Sequence, residues 1–397
     1  MKRILITWLA LILSLDALAQ LPRTLYVVNG LAETLSKINL ETDQVFNHIV
    51  TLGIVPNQVV VKGKKAYVVN SVSSNIQRID LTADTTLGYI FLGAGRNPWN
   101  IALADTQIAY VSNFSANSIS KVDVLNDTVL DEFPIGQSPE GLAFYKGKLY
   151  VCNTGFNPND FSYGQGVVAV YDPVQDSVVA VINVGKNPQY IKPDFRGRLQ
   201  VICTGDYMAN FGQAYIINPS AYSVIDSLDL GGTPGQFGIS WPGLALIAAG
   251  GYSTNGYVYS YLTSADSVLH DESNPILVNL GASDVATDKS GSVYVACFNA
   301  STVDKIETNG TPLASYQVGD GPGSLSIYDP RPNGDATGDK LISLADIIGL
   351  VNYLFKGMPI SGSPAYGDCN CDGKLSLADA IYLVNYIFKS GPLPCEF

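Results

Sequence analysis

The chain has 397 residues, of which 47% are hydrophobic and 15% are charged, and its formal net charge at pH 7 is −12. This composition supplies enough apolar surface for a large folded core. The acidic balance argues against nucleic acid or an anionic membrane surface as a partner, because either one requires a basic patch.

The N-terminus predicts export. Lys2 and Arg3 precede an apolar stretch, residues 4–15, that is too short to span a bilayer. Residues 17–19 then read Ala-Leu-Ala, the small-x-small pattern that signal peptidase cleaves, so we expect residues 1–19 to be a signal peptide. No later segment is apolar for long enough to cross a membrane. The sequence therefore predicts a secreted, extracellular protein without a membrane span, either free or held at a cell surface.

A short motif, Tyr-Val-x-Asn, recurs along the chain up to about residue 330. Its clear copies begin at Tyr26, Tyr67, Tyr110 and Tyr150, and weaker copies begin at Gln200, Leu246 and Tyr294. The spacing of about 40 to 50 residues is typical of proteins that are built from one supersecondary unit per repeat.

A second motif, Gly-x-x-Pro, accompanies each unit, and only its copy at Gly281 to Asp284 has lost the proline. Four short β-branched and aromatic runs, separated by turn residues, make up a unit and predict four strands. Seven such units predict an all-β seven-bladed β-propeller over residues 20–329. The first unit lacks its opening strand, and residues 323–328 supply one at the other end. We therefore expect the N- and C-terminal strands to pair and close the ring.

Polar residues also recur at two positions of the unit. An Asp or Asn ends one apolar run at Asn39, Asp80, Asp123, Asp172 and Asn218, and the Tyr-Val-x-Asn motif contributes Asn29, Asn70, Asn113 and Asn153. Both sets are predicted to be turn residues whose side chains accept backbone N–H groups.

The Tyr-Val-x-Asn repeats with intervening Gly-x-x-Pro resemble the YVTN family of extracellular β-propellers over about residues 21–330. The resemblance implies the propeller fold. It implies no particular activity, because related propellers include surface-layer proteins, lactonase-like enzymes and plain binding modules.

Residues 368–379 match a twelve-residue calcium loop, in which oxygen atoms at fixed positions surround one ion. The predicted ligands of this second calcium site are Asp368, Asn370, Asp372, Lys374 through its carbonyl, Ser376 and Asp379. An earlier copy of the loop places Asp335, Thr337, Asp339, Leu341 through its carbonyl, Ser343 and Asp346 at the same positions. Thr337 is a weaker ligand and Lys340 replaces the turn glycine, so we expect the first site to bind calcium less tightly.

An apolar helix is predicted after each loop, at residues 347–356 and 380–389, whereas prolines and glycines precede the loops. Residues 330–397 are thus expected to form a small all-α module of two half EF-hands. This module resembles a type I dockerin over residues 333 to about 394, in which an Asp closes each loop.

The dockerin resemblance implies calcium-dependent docking to a cohesin-like domain on a scaffold or surface protein. The positions that correspond to the family's partner-binding residues are Leu344, Ala345, Val351, Asn352, Leu377, Ala378, Val384 and Asn385. The alternative is that the module binds calcium and stabilises the chain without any partner.

The cysteines fall into two sets. Cys152, Cys203 and Cys297 lie in apolar runs and are predicted to be buried thiols. Cys395 could form a disulfide bond with either Cys369 or Cys371.

No catalytic constellation is visible, and the chain has only two histidines, His48 and His270, both in or near predicted outer strands. Two neighbouring units carry longer loops whose aromatic residues are Phe156, Phe161, Tyr163, Tyr207 and Phe211. These residues could hold an extracellular glycan or a protein, or could simply pack on the blade edges. We therefore expect a recognition or adhesion propeller with a calcium-dependent attachment tail. The alternative is a lactonase-like or polysaccharide-active enzyme delivered by the same tail.

Overall fold

The computed structural model describes residues 21–395. The predicted signal peptide, residues 1–19, lies outside the described residues. From Thr24 to Tyr328 the chain forms seven antiparallel sheets that are the blades of a β-propeller, and two α-helices follow. The predicted seven-bladed fold is confirmed. Within residues 21–395 no helix is both long and apolar enough to cross a membrane.

The first four blades contain strands β1 to β17. Their bounds are β1 Thr24–Asn29, β2 Thr34–Asn39, β3 Val45–Thr51, β4 Pro56–Lys62, β5 Lys65–Asn70, β6 Asn75–Asp80, β7 Thr85–Phe91, β8 Pro98–Leu103, β9 Ile108–Asn113, β10 Ser118–Asp123, β11 Thr128–Pro134, β12 Pro139–Tyr145, β13 Lys148–Asn153, β14 Phe156–Asn157, β15 Ser162–Tyr163, β16 Val167–Asp172 and β17 Ser177–Asn183.

The last three blades and the closing strand contain β18 to β31. Their bounds are β18 Pro188–Pro193, β19 Leu199–Cys203, β20 Gln213–Asn218, β21 Ser223–Asp229, β22 Phe237–Ser240, β23 Leu244–Ala248, β24 Gly256–Leu262, β25 Ser267–His270, β26 Ile276–Val278, β27 Ala282–Thr287, β28 Val293–Cys297, β29 Thr302–Ile306, β30 Pro312–Gln317 and β31 Pro322–Tyr328.

Each blade runs from an innermost strand that lines the central channel to an outermost strand, as in the order β4-β5-β6-β7. The second strand lies between neighbouring blades and is buried on both faces, which explains the continuous apolar run of the Tyr-Val-x-Asn motif. The motif tyrosines Tyr26, Tyr110 and Tyr150 are at most 2% exposed. The ring closes as predicted, because β31 pairs with β1 and places Tyr26 opposite Ser326.

The Gly-x-x-Pro motif forms the turn that leads from the outer strand of one blade to the innermost strand of the next. Pro56, Pro98 and Pro188 are the first residues of β4, β8 and β18. The motif glycine lies against the motif asparagine, since a Cβ on Gly53 would come within 2.7 Å of Asn70 Cγ. Glycine leaves room for that amide, and the two motifs therefore recur together.

The two recurrent polar positions have different roles. Asp123 Oδ1 accepts the backbone N–H groups of Leu125 and Asn126, both at 2.9 Å, which confirms the predicted turn chemistry at this position. By contrast, Asn113 Nδ2 donates to Ser120 Oγ of the next strand at 2.8 Å. The turn prediction is wrong for all four motif asparagines, because their amides are buried and donate hydrogen bonds: Asn29, Asn70, Asn113 and Asn153.

The C-terminal module contains helix α1, Leu344–Lys356, a short 3₁₀ helix, Pro364–Gly367, and helix α2, Leu377–Lys389. Both α-helices begin about one turn earlier than predicted. The reason is that an N-cap serine, Ser343 or Ser376, forms a capping box with an aspartate in the first turn.

The cysteines of the propeller, Cys152, Cys203 and Cys297, are buried free thiols, as predicted. In the module, Cys395 forms its disulfide bond with Cys371, and Cys369 is a buried free thiol. Of the two partners that the sequence allowed for Cys395, the structure thus selects Cys371.

The module packs on the propeller face opposite to the Gly-x-x-Pro turns. Trp241 Nε1 donates to Asp368 Oδ2 at 3.0 Å, and a Cβ on Gly373 would lie 2.8 Å from Phe195 Cβ. Lys289 Nζ lies 5.3 Å from the centroid of a tyrosine ring in the 3₁₀ helix. Trp241, Phe195 and Lys289 all follow the ends of innermost strands, whereas the Gly-x-x-Pro turns precede the starts of those strands.

Candidate functional site

Two loops rise from the face that carries the Gly-x-x-Pro turns, which we call the rim face. The first loop holds the β14–β15 hairpin, and the second, residues 204–212, folds around Asp206, whose Oδ1 accepts three backbone N–H groups. Each loop starts beside a Gly-x-x-Pro turn, because Thr154 N donates to Ser138 O and Thr204 N donates to Asn187 O. Both aromatic loops therefore lie on the rim face, and their role in binding stays a prediction.

Several aromatic side chains of these loops, together with Trp99 and Phe114 of the third blade, form one continuous row, which we call the aromatic ridge. Ring centroids are 5.6 Å apart for Trp99 and Phe114, 5.7 Å for Phe114 and Phe156, 5.3 Å for Phe156 and Tyr163, and 6.0 Å for Tyr163 and Tyr207. Phe161 stands on the edge of this row and is 77% exposed. The ridge thus crosses three consecutive blades and remains open to solvent at one side.

Trp99 and Phe114 belong to the ridge but were not predicted as site residues. Trp99 follows the Gly-x-x-Pro proline and Phe114 follows a motif asparagine, so both occupy positions next to recognised markers. The sequence could have indicated both residues, because each is an aromatic residue directly after a Gly-x-x-Pro or Tyr-Val-x-Asn motif and these motifs define the rim face.

A cavity of about 660 Å³ continues the ridge toward the sixth blade. Its lining includes Tyr207 and Phe211 of the second loop together with Tyr252, Tyr257 and Glu272. Of the predicted rim residues, Tyr207 therefore belongs to both features, whereas Phe211 belongs to the cavity alone.

A small polar group lies near Tyr163 and Tyr207, and we call it the polar pit. Its members are Glu140, Asn187 and Gln189, of which Glu140 is 3% exposed and Asn187 is fully buried. Within the described chain, Glu140 Oε2 has no hydrogen-bond partner. The Asn187 amide lies close to the hydroxyl groups of Tyr163 and Tyr207, and its interaction with them acts to lower their pKa values. The Gln189 Oε1 atom is held in place by Thr204 Oγ1, which donates to it at 2.7 Å.

Burial raises the pKa values of titratable groups in and beside the polar pit. Loss of solvation raises the pKa of Glu140 well above its usual range, and a hydrogen bond from Gln189 opposes that shift only in part. Burial, followed by the nearby Tyr207 and Glu140, raises the pKa of Tyr163 to about 12. The two tyrosines are therefore neutral hydroxyl groups at neutral pH.

The central channel has a volume of about 440 Å³ and is lined by the innermost strands of all seven blades. It contains Lys192 and Asp284. Asp284 occupies the position at which the seventh Gly-x-x-Pro motif has lost its proline. Asp284 accepts the N–H groups of Val285 and Leu325, both at 2.7 Å, and so ties β27 to β31. Burial raises the pKa of Asp284 to about 6, although Lys192 acts against that shift.

Both histidines lie away from the channel. His48 is in the outer strand β3 and is exposed, and His270 is in the outer strand β25, where its Nδ1 lies 2.7 Å from Ser260 Oγ. Their outer placement agrees with the sequence interpretation.

The first predicted calcium loop brings its carboxylates together. Oxygen atoms of Asp335, Asp339 and Asp346 all lie within 4.8 Å of one another, and Asp335 and Asp346 are fully buried. Asp346 Oδ2 accepts from Ser343 N at 2.8 Å, and Asp346 Oδ1 accepts from Thr337 N at 3.0 Å. This donor set, built of hard oxygen atoms around one point, fits the chemistry of calcium.

The second predicted loop repeats the hydrogen bonds of the first, but among the described residues only the first loop gathers three carboxylates within 4.8 Å of one another. Asp379 Oδ2 accepts from Ser376 N and its Oδ1 accepts from Cys369 N, both at 2.9 Å. Asp368 Oδ2 accepts from Gly373 N at 2.9 Å, as Asp335 Oδ2 accepts from Lys340 N at 2.8 Å in the first loop. Burial raises the pKa of Asp368 to about 6, and the hydrogen bond from Trp241 opposes that shift in part.

The sixth position of each loop adopts the same left-handed backbone conformation. The φ angle is +74° at Gly373 and +67° at Lys340. A side chain in this conformation costs about 1–2 kcal/mol, so the first loop carries a strain that the second avoids.

The two helices of the module each expose an apolar stripe, and the stripes are copies of one another. Their members are Leu344, Ile348 and Phe355 on α1, and Leu377, Ile381 and Phe388 on α2; these six side chains are between 49% and 69% exposed. We call them the docking stripes. Each stripe follows helical spacing, which places its members on one face.

The docking stripes overlap the predicted partner-binding residues only in part. Leu344, Ala345, Leu377 and Ala378 are exposed, whereas Val351 and Val384 are half-buried and pack against the core between the helices; Asn352 and Asn385 are half-buried as well. Ile348, Phe355, Ile381 and Phe388 were not predicted. Their exposure follows from the way α1 and α2 pack, which the spacing of one helix alone does not define.

No family model matches the chain, and no curated protein matches it. Solved structures with the same fold include a functionally unknown protein from Desulfotomaculum acetoxidans, with a TM-score of 0.60, 12% identity, and coverage of 77% of this chain and 99% of that one. A putative 6-phosphogluconolactonase from Bacteroides fragilis gives a TM-score of 0.59 at 14% identity, covering 77% and 98% of the two chains. Hydrazine synthase from Kuenenia stuttgartiensis gives 0.58 at 14% identity, covering 68% and 89%. At these identities the likeness shows the propeller fold alone, and the functions of these proteins differ from one another.

Proposed function

We propose that this chain is a secreted recognition protein that is attached by its tail. In this proposal the rim face of the propeller binds a glycan or protein outside the cell. The C-terminal module binds two calcium ions and docks to a cohesin-like domain on a scaffold or surface protein. The observation that carries the proposal is the division of the molecule, since the aromatic ridge and the C-terminal module occupy opposite faces of the propeller. A chain so built can bind a ligand and a scaffold at the same time.

The case for calcium rests on charge. Asp335, Asp346, Asp368 and Asp379 are at most 1% exposed, and a buried carboxylate is costly unless a cation or a full set of hydrogen bonds compensates it. Arg331 pairs with Asp335 at 3.1 Å, while the other three aspartates have no ion pair within residues 21–395. Two calcium ions, held by the six predicted positions of each loop, would supply the missing positive charge.

The case for docking rests on the docking stripes. A small module that leaves six large apolar side chains half exposed, in two equivalent sets, presents a surface that a partner can cover. The likeness of the two stripes would allow a partner to bind in either of two orientations.

An enzyme is the second candidate, and the polar pit and the channel favour it. Glu140 and Asp284 are buried carboxyl groups whose pKa values are raised, a property shared by many catalytic acids. A lactonase-like or polysaccharide-active propeller would need a second catalytic group beside the first. Among the described residues no histidine or second carboxylate contacts Glu140, so binding is the better-supported function.

The proposal can be tested by attachment of the labelled chain to cell-surface material of the source organism. Attachment should require calcium, should be lost in EGTA, and should be lost in the variant Ile348→Asp/Ile381→Asp. Val181→Asp is the matched control, because Val181 is equally exposed on an outer propeller strand. Attachment that persists in EGTA and in the stripe variant would contradict the docking role.

A further inference from the structure

The second predicted calcium loop packs directly on the propeller. Trp241, the residue after β22, donates from Nε1 to Asp368 Oδ2 at 3.0 Å, and Asp368 is 1% exposed. A Cβ on Gly373, the turn residue of the same loop, would lie 2.8 Å from Phe195 Cβ and 3.1 Å from the Pro242 carbonyl oxygen. Two neighbouring blades thus contact the first and sixth positions of this loop.

The carboxylate that the propeller contacts has a counterpart in the first loop. There, Asp335 Oδ2 accepts the backbone N–H of Lys340, the sixth residue of the loop, at 2.8 Å. In the second loop, Asp368 Oδ2 accepts the backbone N–H of Gly373 at 2.9 Å. Each of these oxygen atoms also accepts one side-chain donor from outside its loop. For Asp335 this donor is Arg331 Nε at 3.1 Å, four residues earlier in the chain, whereas Asp368 takes its donor from the propeller.

A side-chain donor on Oδ2 fixes the orientation of the aspartate and leaves its other oxygen directed at the loop. Asp368 Oδ1 accepts from Asp372 N at 3.1 Å, within the loop. Outer partners of this kind orient metal-binding carboxylates, and their loss typically lowers metal affinity by about ten- to a hundredfold. The two outer donors differ in charge, because Arg331 is a cation and the Trp241 indole is neutral. The indole therefore orients its carboxylate without repelling a cation.

We propose that Trp241 is a positioning residue of the second calcium site and joins that site to the propeller. Its indole N–H holds Asp368 in the orientation that binds the ion. Because such coupling is reciprocal, calcium binding at this loop also favours the contact between the module and the propeller. This inference rests on the proposed calcium-binding role of the module and adds a residue that lies far outside the loop in sequence.

Isothermal titration calorimetry with calcium, on the full secreted chain, tests the positioning role one site at a time. In the Asp346→Asn chain, which keeps only the second site, Trp241→Phe should weaken calcium binding by about tenfold. Phenylalanine keeps an aromatic ring against the propeller and removes the N–H donor. In the Asp379→Asn chain, which keeps only the first site, the same substitution is the matched control and should leave the affinity unchanged. Thermal unfolding followed by circular dichroism checks that the Trp241→Phe chain is folded.

Tryptophan fluorescence gives a second readout that leaves Trp241 in place. The chain has three tryptophans, and Trp99→Phe leaves Trp241 as the only one after the predicted signal peptide, which contains Trp8. Calcium should shift the emission of this single-tryptophan chain, because the indole N–H is bonded to a carboxylate that becomes an ion ligand. Adding Asp379→Asn should abolish the shift, and adding Asp346→Asn should preserve it.

Two calorimetric results would overturn the positioning role while leaving calcium binding in place: an unchanged affinity of the second site in Trp241→Phe, or an equal loss at both sites. An emission that calcium leaves unchanged, or one that follows the first site, would overturn it as well. If the unaltered chain takes up no calcium, the proposed function itself is contradicted and the inference with it. The two failures are therefore distinguishable.

Discussion

The propeller and the C-terminal module treat buried carboxylates differently. In the propeller, Asp194 pairs with Arg198 at 2.8 Å and Asp172 pairs with Lys148 at 2.7 Å. In the module, Asp346, Asp368 and Asp379 are equally buried and form no ion pair within residues 21–395. The two propeller aspartates are therefore balanced by cationic side chains, whereas the three module aspartates are held by hydrogen bonds alone.

Some buried carboxyl groups of the propeller have no ion pair. Glu140 and Asp284 are buried without a paired cation, and their pKa values are raised as a result. Glu140 lies in the polar pit, and Asp284 lies in the central channel, which offers space to a ligand. Asp123 and Asp304 are also buried without an ion pair among the described residues and are held by hydrogen bonds, so a missing ion pair does not by itself mark a binding region.

Removal of calcium is expected to have the largest effect, and only on the module. With calcium at 100 times its dissociation constant, each bound ion stabilises the module by about 2.7 kcal/mol. Thermal unfolding in EGTA should therefore show an early loss of helical circular dichroism, with the propeller transition unchanged. The variant Asp346→Asn/Asp379→Asn is the control and should behave alike with and without calcium. A module transition that EGTA does not shift would show that calcium does not stabilise the module.

The disulfide bond should be the next largest contribution, and again it should be confined to the module. Cys371 and Cys395 are 24 residues apart in sequence, and closing a loop of that length is worth about 3 kcal/mol. Cys371→Ser/Cys395→Ser should lower the melting temperature of the module, and dithiothreitol should have no further effect on this variant. Because the propeller thiols Cys152, Cys203 and Cys297 are free, the propeller transition should not respond to reductant.

The propeller should show a pH dependence of its own through Asp284. Its pKa is about 6 in the folded chain against 3.8 as the ordinary value, so the folded state binds more protons between those limits. The stability of the propeller should therefore fall by about 2 kcal/mol as the pH rises from about 4 to about 6, and should then level off. Urea unfolding across this range measures the slope. Asp284→Asn should flatten it, and an unchanged slope in that variant would assign the effect to another group.

The smallest expected effect is a difference in calcium affinity between the two loops. Lys340→Gly should relieve the left-handed strain at the first site and strengthen its calcium affinity by about 1 kcal/mol. Gly373→Ala is the reciprocal change, and it should weaken the second site because its Cβ would meet Phe195. Calcium titration of both variants measures the two shifts. Opposite signs would sharpen the comparison, and equal signs would contradict the strain argument.

The architecture could be predicted because it is repeated. The Tyr-Val-x-Asn and Gly-x-x-Pro motifs each occupy the same position in successive blades, and the displaced first strand identified the closing pair β1–β31. The role of the motif asparagines was mistaken because a turn asparagine and a buried one look alike in sequence. What distinguishes them is the adjoining blade and the glycine that packs on the amide, as Gly53 does on Asn70.

The candidate sites could be predicted only in part, because some of them combine residues that are distant in sequence. The calcium loops are local in sequence, so Asp335 and Asp346 could be identified as neighbours from their spacing. The polar pit combines Glu140 and Asn187 from two blades, and no local pattern links them. The docking stripes depend on how α1 packs against α2, so Phe355 and Phe388 could not be distinguished from the half-buried Tyr353 and Tyr382 that pack between the helices.

Isothermal calorimetry of calcium binding to the full secreted chain decides whether the module is a calcium site. We expect two ions bound per chain, with Asp346→Asn removing the first and Asp379→Asn removing the second. Chain in which both aspartates are replaced should bind none. If the unaltered chain takes up no calcium at extracellular concentrations, the module is not a calcium-dependent tail and the account of its buried carboxylates is contradicted.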